Sequence, residues 1–125
     1  MNTVFPTIRY DDARGAIEFL TNALGFEKHA VAEDDDGKVT HAELSHGDGM
    51  VLVSNRRAGD DRFDTGRAVV YVVVDDVDAV HERARSAGAE IVFEPTDQDY
   101  GSRDFAVADP EGNVWSFGTY RPGAG

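Results

Sequence analysis

Three side chains of this sequence could bind a cation or transfer protons: His41, Glu43 and Asp104. Residues two apart on a strand point to the same side, so His41 and Glu43 are predicted to share a face. Their neighbours Ala42 and Leu44 are apolar and are predicted to pack beneath a helix. The internal repeat described below turns Asp104 the same way, so two carboxylates and a histidine are expected on an otherwise apolar surface.

Three interpretations of these side chains remain open. Charged residues that alternate along a strand commonly just face water. A partly desolvated carboxylate would instead recognise a cationic or hydrogen-bonding ligand. An acid–base pair or a displaced metal site would need a third group at a distance that the sequence does not determine.

The elements that must position these side chains occur twice. An aspartate pair at 11–12 and another at 75–76, 64 positions later, each precede a short amphipathic helix. The first helix is followed by Gly25 and the second by Gly88, glycines suited to a left-handed C-terminal cap. The repeat predicts two strand–helix–three-strand modules, and a ligand site can form between such modules.

The sequence predicts an α+β fold in a single domain, 1–125, with modules at 1–56 and 67–121. The linker, 57–66, is expected to be a mobile, solvated loop. The first helix is expected over 12–24. Apolar and alternating runs predict eight strands, at 3–10, 26–33, 38–45, 50–54, 67–74, 91–94, 102–108 and 113–120. The run 67–74 is predicted to be a central strand covered on both faces.

Composition limits the classes of function. The 24 acidic and 12 basic residues give a net charge of −12, which repels nucleic acids and anionic lipids. The same charge could attract cationic ligands or serve only solubility. The chain has no cysteine, which excludes disulfides and thiolate chemistry. Without a recognisable leader or an apolar run long enough to span a bilayer, a cytoplasmic protein with no membrane partner is expected.

Three motifs resemble those of the vicinal oxygen chelate superfamily. They are the helix end Phe19–Phe26, the Val-Asp-Asp at 74–76 and the Asp-Pro-Glu-Gly-Asn-Val-Trp turn at 109–115. That superfamily contains glyoxalase I, extradiol dioxygenases and the fosfomycin- and bleomycin-resistance proteins. The resemblance implies that the two modules form a cup of eight strands, as in the small bleomycin-resistance-like members.

The superfamily's enzymes hold a divalent metal with inward side chains from the first and last strands of each module, usually His, Gln or Glu. The resemblance places those four positions at Phe5, Val53, Val69 and Ser116. None of these residues is a good metal ligand. A protein with no metal and no other cofactor is therefore expected.

The same alternation predicts which other residues line the cup. It adds the following residues to the wall: Thr7, Val51, Tyr71, Val73, Ser102 and Val114. Trp115 and Phe117 would lie on the opposite face, beneath a helix, so the only tryptophan is predicted to be a core residue.

The polar loop before the strand at 102–108 has two possible roles. Tyr100 could stack on a bound ligand while Arg103 pairs with an anionic group. The structural alternative, which we favour, is that Arg103 pairs with Asp97, Asp99 or Glu111.

The sequence thus predicts a metal-free protein that binds a small organic molecule, such as a cationic or aromatic drug, and catalyses no reaction. Resemblance to drug-sequestering relatives implies a homodimer. The alternatives are a glyoxalase-type lyase or isomerase, using a variant metal site or His41 and Glu43 as acid and base, and a purely structural or regulatory dimer. The predicted ligand-binding residues are Phe5, Thr7, His41, Glu43, Val53, Val69, Tyr71, Tyr100, Arg103, Asp104 and Ser116.

Overall fold

The computed structural model describes residues 2–123, which divide after Arg67 into two compact units. Each unit contains one helix and one four-stranded sheet, in the chain order strand, helix, strand, strand, strand. The α+β class and the duplicated module are thereby confirmed. Across the described residues, no helix is long and apolar enough to cross a membrane.

The first unit contains four strands and helix α1. Its elements are β1 (Thr7–Tyr10), α1 (Ala13–Asn22), β2 (Glu27–Glu33), β3 (Val39–His46) and β4 (Gly49–Asn55). The strand order in the sheet is β1-β4-β3-β2, with β1 parallel to β4 and the other pairs antiparallel. The predicted first strand begins later than expected, at Thr7.

The second unit repeats this arrangement. Its elements are β5 (Val69–Val73), α2 (Val77–Ser86), β6 (Glu90–Asp97), β7 (Arg103–Ala108) and β8 (Val114–Gly118), in the sheet order β5-β8-β7-β6. The prediction that the strand around Tyr71 is central and doubly covered is wrong, because β5 is an edge strand of its sheet and Val69 is 77% exposed. A run of β-branched residues indicates strand propensity, and that propensity does not require burial of both faces.

The repeated aspartates and glycines define the ends of the helices. Asp12 accepts a hydrogen bond from the Gly15 amide, and Asp76 accepts one from the Ala79 amide, both at 3.0 Å. Each carboxylate therefore satisfies a donor at a helix N-terminus. Gly25 follows α1 with a φ of 79°, a left-handed conformation that glycine adopts without strain.

Each sheet buries one face under its helix, here called the helix face; the other is called the opposite face. The helix face of the first sheet consists of Ile8, Tyr10, Ala42, Leu44, Val51 and Val53. That of the second sheet includes Val72, Phe105, Val107, Trp115 and Phe117. Trp115 is fully buried and the Phe105 and Phe117 rings stack 5.3 Å apart, so the predicted core position of the tryptophan is confirmed.

Most residues of the linker are exposed, as expected for a solvated loop, but two of its carboxylates attach it to the first unit. The Arg9 Nε atom donates to Asp61 Oδ2 at 2.7 Å, and Arg56 pairs with Asp64 at 2.5 Å. Only 6% of the Arg9 side chain and 13% of the Asp61 side chain are exposed. Two ion pairs therefore attach the otherwise exposed segment to the sheet, and the many charges of the segment do not by themselves indicate these pairings.

Protonating the two loop carboxylates should release this segment. Hydrogen bonds from Arg9 and Arg56 lower the pKa of Asp61 and of Asp64 below the ordinary value of 3.8. A lowered pKa in the folded state means that the stabilisation is present above about pH 4 and is lost as the pH falls through the folded-state pKa. Hydrogen-exchange protection of the Phe63 amide should therefore fall below about pH 4. In Asp61→Asn it should already be low at pH 6; full protection there would contradict this account.

Candidate functional site

A buried carboxylate lies on the opposite face of the second sheet. Asp104 is 7% exposed, and its Oδ1 atom accepts a hydrogen bond from the Ser102 hydroxyl at 2.5 Å. Its Oδ2 atom accepts one from the Tyr100 hydroxyl at 3.0 Å. Within residues 2–123, the partners of this carboxylate are hydroxyls and none is a basic side chain. The arrangement therefore holds a negative charge away from water without a positive partner.

Strand register brings further groups to this carboxylate. Asp104 on β7 is level with Gly118 on β8, and Ser116, two residues earlier, is level with Tyr71 on β5. Residues two apart share a face, so these four positions lie together, opposite Trp115 and Phe117. We call the group formed by Tyr71, Tyr100, Ser102, Asp104, Ser116, Gly118 and Tyr120 the Asp104 site.

The tyrosines of the Asp104 site hold each other in place. The Tyr71 hydroxyl donates to the Tyr120 carbonyl oxygen at 2.6 Å, and the Tyr100 and Tyr120 rings meet edge-on with centroids 5.9 Å apart. Burial raises the pKa of Tyr71, and its hydrogen bond to Asp104 raises the pKa of Tyr100. Both phenols therefore stay neutral at physiological pH. They supply hydroxyl donors and aromatic faces without adding negative charge.

Gly118 makes room for this cluster. A Cβ atom at this position would overlap Asp104 Oδ1 and would lie 2.6 Å from the Tyr71 hydroxyl oxygen. Carbon and oxygen atoms do not approach so closely, so a larger residue would displace one of the two side chains. Gly118 was not among the site residues predicted from the sequence; a single glycine inside a predicted strand was the available signal.

The predicted site residues of the second unit share a face as expected. Val69, Tyr71, Asp104 and Ser116 all lie on the opposite face of the sheet, and Tyr100 reaches the same carboxylate. Whether they bind a ligand stays a prediction.

Arg103 has the structural contacts that we favoured for it. Its guanidinium pairs with Asp97, one of the three predicted partners, at 3.1 Å. It also pairs with Asp78 on α2 at 2.9 Å, a partner that was not predicted from the sequence. These two hydrogen bonds raise the pKa of Arg103, so its charge is permanent.

The predicted polar residues of the first unit lie on the opposite face of its own sheet. The His41 Nε2 and Glu43 Oε2 atoms are 2.9 Å apart, and both side chains are substantially exposed. Thr7 shares this face, whereas Phe5 precedes β1 and is 41% exposed. His41 and Glu43 therefore form an exposed, hydrogen-bonded pair.

The predicted direction of Val53 is wrong. Val53 is level with Ile8 and Ala42 on the helix face and is 1% exposed. The prediction aligned Gly49 with Gly112, which are 63 positions apart.

The two hairpins differ in length, and this difference caused the error. His46 pairs with Gly49 across a two-residue turn, whereas Ala108 and Val114 are separated by five residues. The last strands of the two modules are therefore offset by 64 residues, so Leu52 is the counterpart of Ser116. Val51 also lies on the helix face, so its predicted position in the wall of the cup is wrong as well.

Comparison with known proteins identifies the family. Residues 3–117 match the model of the glyoxalase/bleomycin resistance protein/dioxygenase superfamily. The chain therefore belongs to this superfamily, as the sequence motifs indicated.

Several relatives agree with this assignment. The uncharacterized protein Mb0911c of Mycobacterium bovis is 33% identical over 121 residues, which cover 90% of this chain and 80% of that protein. The crystal structure of TioX from Micromonospora sp. ML1 superposes with a TM-score of 0.76 at 31% identity, covering 94% of both chains. A glyoxalase/bleomycin resistance protein from Streptomyces sp. CB03234 has the same fold at 19% identity, with a TM-score of 0.75 over 93% of this chain and 98% of that one.

The residues at the superfamily's metal-ligand positions are not suited to coordinate a divalent metal ion. With the corrected register these positions are Phe5, Leu52, Val69 and Ser116. Three of them are hydrocarbon side chains and the fourth offers one neutral hydroxyl, whereas divalent ions need several carboxylate, imidazole or amide ligands. In the described part of the chain, no three His, Cys, Asp or Glu side chains are grouped so that they could hold a metal ion.

Proposed function

We propose that this protein binds a small cationic aromatic molecule at the Asp104 site, without a metal and without transforming it. The observation that carries the proposal is the Asp104 carboxylate, which is 7% exposed and is hydrogen-bonded by hydroxyls instead of a basic side chain. A superfamily that includes resistance proteins as well as enzymes is compatible with binding that is not followed by a reaction.

The surroundings of the Asp104 carboxylate favour a cationic ligand. Hydroxyl donors stabilise a buried carboxylate but leave its net charge unbalanced, so a ligand cation would gain a charge-assisted interaction with little further desolvation of the protein. The faces of tyrosine rings also attract cations, by about 0.5–2 kcal/mol each. Tyr71 and Tyr100 are 37% and 66% exposed, so both rings are accessible to a ligand. The net charge of −12 would steer cations towards the protein.

Ligand charge should therefore decide affinity. Benzylamine, which is cationic at pH 7, should raise the unfolding temperature more than its neutral analogue benzyl alcohol, and benzoate should have no effect at this site. A ligand present at 100 times its dissociation constant adds about 2.7 kcal/mol to the free energy of unfolding. The difference should shrink with added salt, which screens the attraction. Equal stabilisation by amine and alcohol would contradict the proposal.

We also propose that the protein is a homodimer, as in the drug-sequestering relatives that the sequence resembles. Light scattering should then give a mass about twice the 13.6 kDa of one chain.

A second candidate function is acid–base catalysis by a glyoxalase-type lyase or isomerase. The observation that favours it is the 2.9 Å contact between His41 Nε2 and Glu43 Oε2, because a carboxylate can orient an imidazole as a general base. Turnover of an α-ketoaldehyde adduct that is lost in His41→Gln would establish this function. The exposure of both side chains makes it the weaker candidate, since proton transfer is more effective in a site that excludes water.

A further inference from the structure

Arg9 is a nearly buried cation on the opposite face of the first sheet. Its Nε atom donates to Asp61 Oδ2, and its Nη1 atom donates to the Ser54 hydroxyl, both at 2.7 Å. The ring of Phe63 covers the guanidinium, with 5.5 Å between Arg9 Cζ and the ring centroid. Within residues 2–123, the Arg9 side chain thus makes these three interactions, two of them with the linker 57–66.

The two linker groups are presented together by one turn. Asp61 Oδ1 accepts a hydrogen bond from the Phe63 amide at 3.1 Å, and the Asp61 carbonyl oxygen accepts one from the Asp64 amide at 3.0 Å. A carboxylate and an aromatic ring are therefore held side by side over the guanidinium. These are the two recognition elements of an aromatic carboxylic acid.

We propose that Arg9 and Ser54 form a recognition site for an aromatic carboxylate, which Asp61 and Phe63 of the chain's own linker occupy. A ligand of this class exchanges with the linker: its carboxylate replaces that of Asp61 and its ring replaces that of Phe63. The site belongs to the first unit and selects an anion, so it is independent of the cation site proposed at Asp104.

The charge of Arg9 favours an anion as the ligand that replaces the linker. With the linker in place the Arg9 side chain is 6% exposed and is paired with an anion, and a second anion that enters as the linker leaves keeps a charge-assisted hydrogen bond to the guanidinium. The positive charge of Arg57 also acts on Asp61 and would favour any anion at this position. A neutral ligand of the same shape would neither balance the charge of Arg9 nor be attracted by the charge of Arg57.

The tethered linker competes strongly with free ligands. A group on a short tether acts at an effective concentration on the order of millimolar, so the wild-type protein should bind simple aromatic acids weakly. Removing both linker groups should expose the site. The double variant Asp61→Ala/Phe63→Ala, here called the vacated variant, tests this expectation.

The direct test is a titration of benzoate into the wild-type protein and into the vacated variant. Binding is measured from the NMR shift of the Ser54 amide. The dissociation constant should be at least tenfold lower in the vacated variant. Benzamide, the neutral isostere, should not bind. Adding Arg9→Gln to the vacated variant should abolish binding. The matched control Asp60→Ala, which removes a neighbouring exposed acid, should behave as the wild type does.

Two results would overturn the proposal: benzoate binding in the vacated variant that is no tighter than in the wild type, or binding that survives Arg9→Gln. Circular dichroism checks that the variant is folded. If it is not, Asp61→Ala alone is titrated with acetate, which should shift the NMR signal of the Ser54 amide until the site is saturated, whereas acetamide should not. Failure of acetate to do so would also overturn the proposal.

Discussion

Replacing Trp115 by alanine should lower the free energy of unfolding by about 3–5 kcal/mol, the usual cost of a large cavity in a closed core. Trp115 is fully buried on the helix face of the second sheet. Its Nε1 atom also donates to the buried Asp109 carboxylate at 3.1 Å, so the substitution removes a hydrogen bond together with the packing. Ligand binding by the molecules that remain folded should be nearly unchanged, because the side chain points away from the Asp104 site.

The matched variant is Tyr71→Ala, on the other face of the same sheet. Tyr71 is 37% exposed, so its loss should cost less stability than that of Trp115. It should weaken binding of benzylamine by about 1–3 kcal/mol through lost aromatic contact. Urea denaturation and calorimetric titration of both variants measure the two effects. If the variants exchanged these behaviours, the assignment of the two faces would be wrong.

Gly118→Ala should strongly weaken binding at the Asp104 site. The added Cβ atom would overlap Asp104 Oδ1, so the carboxylate or the Tyr71 ring must move. Overpacking of this kind typically costs about 1–3 kcal/mol in stability. Affinity for benzylamine should fall at least tenfold, because the carboxylate and the aromatic face no longer keep their relative positions.

Gly49→Ala is the control for a strand glycine. Its Cβ atom would meet only the His46 carbonyl oxygen, at 3.4 Å, so stability and affinity should change little. Unchanged affinity in Gly118→Ala would show that the ligand does not use the Asp104 cluster.

The register of the second unit could be predicted because polar and apolar residues alternate along its strands. On β7 the charged Asp104 is followed by Phe105, and on β8 Ser116 separates two aromatic residues, so the two faces differ. The fourth strand of the first unit offers no such contrast. Residues 50–53 are all apolar, so only the length of the preceding turn determines which of them face the helix. The misassignment of Val53 followed from that ambiguity.

The remaining features depend on contacts between distant parts of the chain. Arg9 and Asp61 are 52 positions apart, and no local pattern links a strand arginine to a loop carboxylate. The need for glycine at 118 likewise follows from a neighbour on another strand. Such features appear only when strand order and register are known.

The most direct test of the central claim is a calorimetric titration of benzylamine and benzyl alcohol into the wild-type protein and Asp104→Asn. The amide keeps the shape of the side chain and removes its charge. The wild type should prefer benzylamine at least tenfold, which corresponds to about 1.4 kcal/mol. In Asp104→Asn that preference should vanish while affinity for benzyl alcohol is retained. Glu43→Gln, which alters the carboxylate paired with His41, should keep the preference. A preference for the amine that persists in Asp104→Asn would contradict the account.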